Sequence, residues 1–223
     1  MDTQFIEQMA NYSDGQERRA QIIGIIASPH KGGNTAFIVN RILEGAEEQG
    51  AETHVFGFGD LDIKPCRGCW ACHKSDQGCV INDDMQKIYD ALEYADAIVL
   101  GLPIYMGQMS AQGKIFTDRL FARVSPKFSP FFKERAVKQK MILSFNQGNP
   151  DEGLFKTYID YTKQMFDMLE FDVKEMPVIT GLRNGPVCER EDLCGGLKDF
   201  GSALVLEGYH EQVESKKSPV HFE

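Results

Sequence analysis

Five short apolar runs, each followed by a stretch with helical spacing, restrict this 223-residue chain to a small set of architectures. The runs are Gln21–Ala27, Thr53–Phe58, Ala97–Leu102, Met141–Phe145 and Phe171–Ile179. Gln21–Ala27 is rich in isoleucine and does not alternate, which reads as a strand buried on both faces. Between the runs, Val39, Ile42, Leu43 and Ala46 share one helical face, and Gly50 stops that helix. Met85, Ile88, Tyr89, Leu92 and Ala95 form a second face, introduced by Asp83-Asp84, whose charge suits a helix start. Ser110 caps a third helix with Gly113, Phe116 and Leu120 turned inward. Leu154, Tyr158, Tyr161, Met165 and Met168 recur at intervals of 4, 3, 4 and 3, and a last helix is expected over about Leu193–Glu211. Such alternation implies a parallel sheet covered on both faces, with right-handed crossovers.

Ligands of these sheets bind outside the carboxyl ends of the strands. The loops after the first, third and fourth strands therefore carry the functional expectation. The first, Ser28-Pro29-His30-Lys31-Gly32-Gly33-Asn34-Thr35, opens a helix. Its glycines permit a tight turn, and the helix start offers backbone N–H groups to an anion. Ser28, Asn34 and Thr35 add short side-chain donors, and His30 or Lys31 adds positive charge. The loop matches neither the Gly-Lys-Ser/Thr phosphate loop nor Gly-x-Gly-x-x-Gly. A plain turn capped by Asn34 or Thr35 is the alternative. The third-strand loop, Pro103-Ile104-Tyr105-Met106-Gly107, offers a rigid, partly aromatic wall for a ring, unless Tyr105 merely covers the sheet end. Pro103 is expected to stop its strand. Asn146-Gln147-Gly148-Asn149 adds amides beside the same crevice, or else is an ordinary turn. Together the three loops fit a ligand that combines a phosphate with a ring.

The length suits one domain, with an extension at 1–20, a domain at 21–212 carrying a cysteine-rich insertion at 60–84, and a tail at 213–223. Residues 122–138, basic and broken by Pro126 and Pro130, read as a loop or short insertion. The formal charge of −9 argues against sequence-blind binding to nucleic acid. No apolar run reaches the ~18 residues that span a bilayer, so no membrane partner is expected. Residues 1–20 show no apolar signal region, and the expected location is cytoplasmic.

Four of the six cysteines, Cys66, Cys69, Cys72 and Cys79, lie within fourteen residues. Cys-x2-Cys-x2-Cys places three thiols in a compact loop, and Cys79 closes a fourth position, as a [4Fe-4S] cluster requires. Structural zinc with His73, and free or oxidised thiols, are the competing readings. Lys64, Arg67 and Lys74 would offset thiolate charge. Cys188 and Cys194 read as structural or incidental, and His54, His210 and His221 as strand or surface residues. Asp83-Asp84 reads as helix initiation rather than a metal site, and Asp118 and Arg119 as a mutual pair, with support of the flavin loop as the alternative.

Ser28–Thr35, Cys66–Asp84 and Pro103–Arg119 together resemble the iron–sulfur flavoprotein branch of the NADPH-dependent FMN reductase family. The resemblance implies an α/β, flavodoxin-like three-layer sandwich with a five-stranded parallel sheet in order 2-1-3-4-5. It also implies noncovalent FMN, with the phosphate at Ser28, His30, Gly33, Asn34 and Thr35. The ring would lie against Pro103, Ile104, Tyr105, Met106 and Gly107, with Asn146 and Gly148 on its far side. Family members form homodimers or homotetramers in which one subunit's cluster faces a neighbour's flavin. No nucleophile–base pair is visible, so the chemistry is expected to belong to cofactors and no catalytic side chain is assigned. The expectation is an FMN-dependent oxidoreductase carrying a [4Fe-4S] cluster on Cys66, Cys69, Cys72 and Cys79, fed by a ferredoxin-like donor or NAD(P)H. The alternatives are an FMN-only NAD(P)H-dependent flavin or quinone reductase, and a non-catalytic flavodoxin-like electron carrier.

Overall fold

The computed structural model describes residues 19–74, 78–124, 138–182 and 185–215. Most of the expected extension, most of the basic 122–138 segment and the end of the tail lie outside these residues. In chain order the elements are β1 (Gln21–Ile26), α1 (Asn34–Glu48), β2 (Glu52–Gly57), the short α2 (Ala71–Lys74), α3 (Met85–Tyr94), β3 (Ala97–Tyr105), β4 (Gln108–Met109) and α4 (Ala111–Arg119). After the 3-10 turn Leu120–Val124 come β5 (Gln139–Asn146), α5 (Lys156–Met168), β6 (Phe171–Lys174), the 3-10 turn Val187–Glu189 and α6 (Glu191–Ser215).

Five strands run parallel in the order β2-β1-β3-β5-β6, and β4 adds a two-residue antiparallel hairpin to β3. The expected 2-1-3-4-5 order holds once this sixth strand is set aside. In β1, Ile23 and Ile25 face one apolar layer, formed with Ile88 and Leu92 of α3, Phe116 of α4 and Phe166 of α5. Ile22 and Ile26 face the other, with Val39 and Ile42 of α1 and Leu197 and Leu204 of α6. A strand buried on both faces has no polar side to expose, which is why β1 reads as a continuous apolar run.

Two expectations are corrected. Pro103 does not stop β3, which continues to Tyr105 and pairs Pro103 with Asn146 of β5. β1 has already ended opposite Gly101, so a missing N–H at Pro103 deprives no neighbour on that side. The expected strand to Ile179 ends at Lys174, and only a single bridge joins Asn146 to Ile179. Pro177 interrupts the run between them. α6 also reaches beyond its expected ends, to Ser215.

Gly101 of β3 keeps α1 close. A Cβ there would sit 2.6 Å from Val39 Cγ2 and 2.7 Å from Thr35 Cγ2. The first turn of α1 is thus pressed against the strand end where the candidate ligand loops meet. Among the described residues, no helix is long and apolar enough to cross a membrane.

Candidate functional site

The three loops singled out by the sequence converge at the carboxyl edge of the sheet. In the first, the buried Ser28 accepts from the His30 N–H at 3.2 Å through its Oγ. Gly32 takes a φ of +70°, and Gly33 leads into α1 in extended conformation with no side chain capping the helix. Neither Asn34 nor Thr35 acts as the cap. Asn34 Oδ1 accepts from the Val187 N–H at 2.9 Å. Thr35 Oγ1 donates to Asn146 Oδ1 at 3.0 Å and accepts from its Nδ2 at 3.1 Å. Thr35 and the Asn34 oxygen are committed to the protein, so anion recognition falls chiefly on the backbone N–H groups of the uncapped turn. Lys31 pairs with Asp60 at the surface.

In the second loop, Tyr105 and Gln108 pair across a two-residue turn made by Met106 and Gly107, with φ of 50° and 81°. Positive φ at both central residues gives the twist that suits a tight hairpin. Methionine is an unusual choice in that conformation, which disfavours residues bearing a Cβ. Its side chain is fully exposed, Tyr105 is 45% exposed and Ile104 is buried. Ser110 fastens this hairpin to the first loop. Its N–H donates to Pro103 O at 3.1 Å, its Oγ donates to Ala27 O at 2.5 Å, and that Oγ accepts from the Gly113 N–H at 3.0 Å. The cap was legible in the sequence, whereas the bond to Ala27 spans 83 positions and was not.

In the third loop Asn146 and Gln147 are buried. Gln147 Nε2 donates to Asn149 O and Asp151 O, at 3.2 and 2.7 Å. Its Oε1, on a residue only 3% exposed, has no partner among the described residues. Gly148 follows it, half-buried. The edge thus presents uncapped N–H donors on one loop, while the unanswered Gln147 acceptor on another is buried beneath it. Those donors fit a ligand with an anionic end. Thr35→Val should leave Asn146 Oδ1 and Nδ2 without partners at constant side-chain shape. A loss of about 1–3 kcal/mol is expected, read as a lower urea midpoint with an unchanged slope.

The cysteine loop lies beside α4. Cys66 and Cys69 are exposed, Cys79 is half-buried and Cys72 is buried, and all four are free thiols. Gly68, Trp70 and Gly78 take φ of 61°, 59° and 75°, which curls the loop. The Gly68 N–H lies 3.5 Å from Cys66 Sγ. Burial pushes the Cys72 thiol up, and the neighbouring Cys79, Cys69 and Cys66 push it further, so the four sulfurs share one electrostatic neighbourhood. Among the described residues, no three His, Cys, Asp or Glu side chains converge to hold a single metal ion. His73 stacks on Phe121 at 4.4 Å, with its Nε2 3.3 Å from Phe121 O, an arrangement that weakens the zinc reading. Four thiols from one segment, with a backbone N–H at the Cys66 sulfur, are donors of the kind that an iron–sulfur cluster takes.

Asp118 and Arg119 do not pair with each other. Adjacent residues on a helix point in different directions, so Asp118 reaches Lys114 one turn back while Arg119 turns inward to Asp83. Both side chains of the Asp83–Arg119 pair are fully buried. A cleft of about 790 Å³, unforeseen from the sequence, runs from Cys66 and Gly68 past Met109 and Phe121 to Tyr158 and Met165. Its size is that of a small-molecule site.

Residues 20–146 match the family described as NADPH-dependent FMN reductase. Among curated proteins, the chain is similar to an iron–sulfur flavoprotein of Methanosarcina thermophila, at 42% identity over 99 residues, covering 44% of this chain and 51% of that protein. An iron–sulfur flavoprotein of Archaeoglobus fulgidus is 29% identical over 161 residues, covering 72% of this chain and 77% of that one. The chain spans about half the length of the curated relatives it matches over the shorter segment. Among solved structures, it resembles an NAD(P)H:quinone oxidoreductase from Methanothermobacter marburgensis with a TM-score of 0.64 at 16% identity, covering 84% of this chain and all of that one. An archaeal flavodoxin gives 0.53 at 15% identity, covering 84% and 97%. These two likenesses establish a flavodoxin-like fold.

Proposed function

The chain belongs to the NADPH-dependent FMN reductase family, and from that premise we propose that it is an FMN-dependent oxidoreductase of iron–sulfur flavoprotein type. The observation that carries the reading is the uncapped start of α1 at the carboxyl edge of the parallel sheet, held there by the Thr35–Asn146 hydrogen bond to β5. The phosphate of FMN would be held at Ser28, His30, Gly33, Asn34 and Thr35, chiefly by backbone N–H groups. Pro103, Ile104, Tyr105, Met106 and Gly107 would flank the ring, with Asn146 and Gly148 beyond it. Cys66, Cys69, Cys72 and Cys79 would hold a [4Fe-4S] cluster. When bound, FMN supplies two-electron and one-electron chemistry and the cluster single-electron transfer. The protein's part is to orient the ring, keep water from its buried face and hold the two groups at fixed separation. The apolar cleft beside Cys66 supplies a place for an acceptor. A ferredoxin-like protein or NAD(P)H would be the donor, in a cytoplasmic homodimer or homotetramer.

Anaerobic purification followed by visible spectroscopy and iron and sulfide counting tests this reading. Flavin bands with about four irons per chain are expected. Flavin without iron would leave the second reading, an FMN-only reductase, which the exposure of Cys66 and Cys69 favours. A colourless protein that takes up no added FMN would end both.

Asn34→Asp separates ligand binding from folding. The carboxylate keeps the acceptor for the Val187 N–H and adds negative charge at a helix start, so the ligand-free protein should gain about 0.3–1 kcal/mol. The same charge repels a phosphate, and FMN affinity measured by fluorescence quenching should fall. A parallel rise in both quantities would contradict a phosphate at this turn.

A further inference from the structure

We propose that Asp83 and Arg119 are positioning residues, a buried clamp that fixes the cysteine loop relative to the flavin edge of the sheet. The proposal rests on the reading that the four thiols hold a cluster. Lys64, two residues before Cys66, has both backbone groups taken by the pair. Its N–H donates to Asp83 Oδ2 at 2.9 Å, and its carbonyl accepts from Arg119 Nη1 at 2.8 Å. The two side chains join each other through Nη1–Oδ2 at 2.6 Å and Nη2–Oδ1 at 3.1 Å. Asp83 Oδ1 also accepts from the Met85 N–H at 3.1 Å, at the start of α3. The next residue, Gln86, donates through Nε2 to Cys79 O at 3.0 Å and Ile81 O at 2.8 Å. Asp83, just before α3, and Gln86, in its first turn, therefore hold the two ends of the cysteine loop.

Arg119 is the last residue of α4, and the Ser110 cap at the other end is bonded to Ala27 and Pro103. α4 is thus a strut of nine residues, about 13 Å long, with the flavin loops at one end and the cysteine loop at the other. Apolar side chains of similar volume would fill the space of the ion pair, but they would leave the Lys64 N–H and carbonyl unanswered. A buried pair aimed at the backbone of a loop serves the placement of that loop.

The test uses Asp83→Leu/Arg119→Met, which replaces the pair by apolar groups, and Arg119→Lys, which keeps the charge and loses the planar fork. Trp70 is the single tryptophan and lies in the loop, so its emission reads loop placement while far-UV circular dichroism reads the fold. In ligand-free anaerobic protein the double variant should unfold near the wild-type midpoint by circular dichroism. Its Trp70 emission should shift, and Cys66 and Cys69 should alkylate faster. After loading with iron and sulfide, it should hold iron about 10- to 100-fold more weakly against a chelator, with an altered electron paramagnetic resonance signature after reduction by dithionite and unchanged FMN affinity. Arg119→Lys should fall between the two, and it decides the matter if the double variant does not fold. Wild-type emission, alkylation and iron retention in a folded variant would overturn the clamp. Failure of the wild-type protein to take up iron would overturn the cluster reading instead, and emission and alkylation would still judge the clamp.

Discussion

Gly201→Ala should cost about 3 kcal/mol or more and loosen α6 from the rest of the protein. A Cβ at Gly201 would sit 1.7 Å from Ile42 O and 2.8 Å from Ala46 N, both backbone atoms of α1. The opposing glycine, Gly45, is as tight, with a Cβ position 2.0 Å from Lys198 O. A side chain can rotate out of a clash, whereas a helix backbone moves only by shifting the whole element. The two helices would part by more than 1 Å, and the apolar contacts of Leu197 and Leu204 would be lost with the fit. Gly195 and Gly196 lie in the same helix with nothing within 4 Å of their Cβ positions. Replacing either by alanine should instead stabilise by roughly 0.5–1 kcal/mol, because glycine is a poor helix former. Urea unfolding of the three variants should therefore give shifts of opposite sign within one helix. A neutral Gly201→Ala would mean that the close crossing of α1 and α6 is absent in solution.

How legible the molecule was from its residues depended on the range of the interaction that decides each feature. β1, β3 and β5 announce themselves because a central strand buried on both faces reads as a near-continuous apolar run, as Met141–Leu143 does in β5. The ligand edge followed from topology, since parallel strands direct their carboxyl ends to one side. The cysteine loop was visible as spacing. Pro103 misled because a proline stops a strand only where a neighbour needs its N–H, and β1 has ended by then. The Met106–Gly107 turn carries glycine at its second position, but Met106 gives no sign of a positive φ. Asn34 and Thr35 looked like free donors, and their partners, Val187 and Asn146, lie 153 and 111 positions away. Arg119 was read as the partner of its neighbour because nothing local points to a carboxylate 36 residues earlier.

Asp83→Ala should destabilise the ligand-free protein by about 3–5 kcal/mol, since it leaves the Arg119 guanidinium buried without its counter-charge. Burial alone would push the Asp83 carboxyl up, but hydrogen bonds from Arg119 and from the Lys64 and Met85 N–H groups, with the Arg119 charge, hold it below the usual carboxylate range. The sign of the pH dependence follows. A carboxyl depressed on folding contributes stability that is complete above its unfolded value, about 4, and is lost as pH falls through the lower folded value. Asp83→Asn keeps the shape without the charge, so it mimics the protonated wild type. The difference in urea midpoint between wild type and Asp83→Asn should be largest at neutral pH and shrink toward zero below about pH 4. Arg119 stays charged throughout, its guanidinium held above its ordinary value despite burial by the bond to Asp83, so the acid response belongs to the carboxyl. A difference that stays constant from pH 7 to pH 3 would show that the Asp83 charge contributes nothing, and that shape alone seats Arg119.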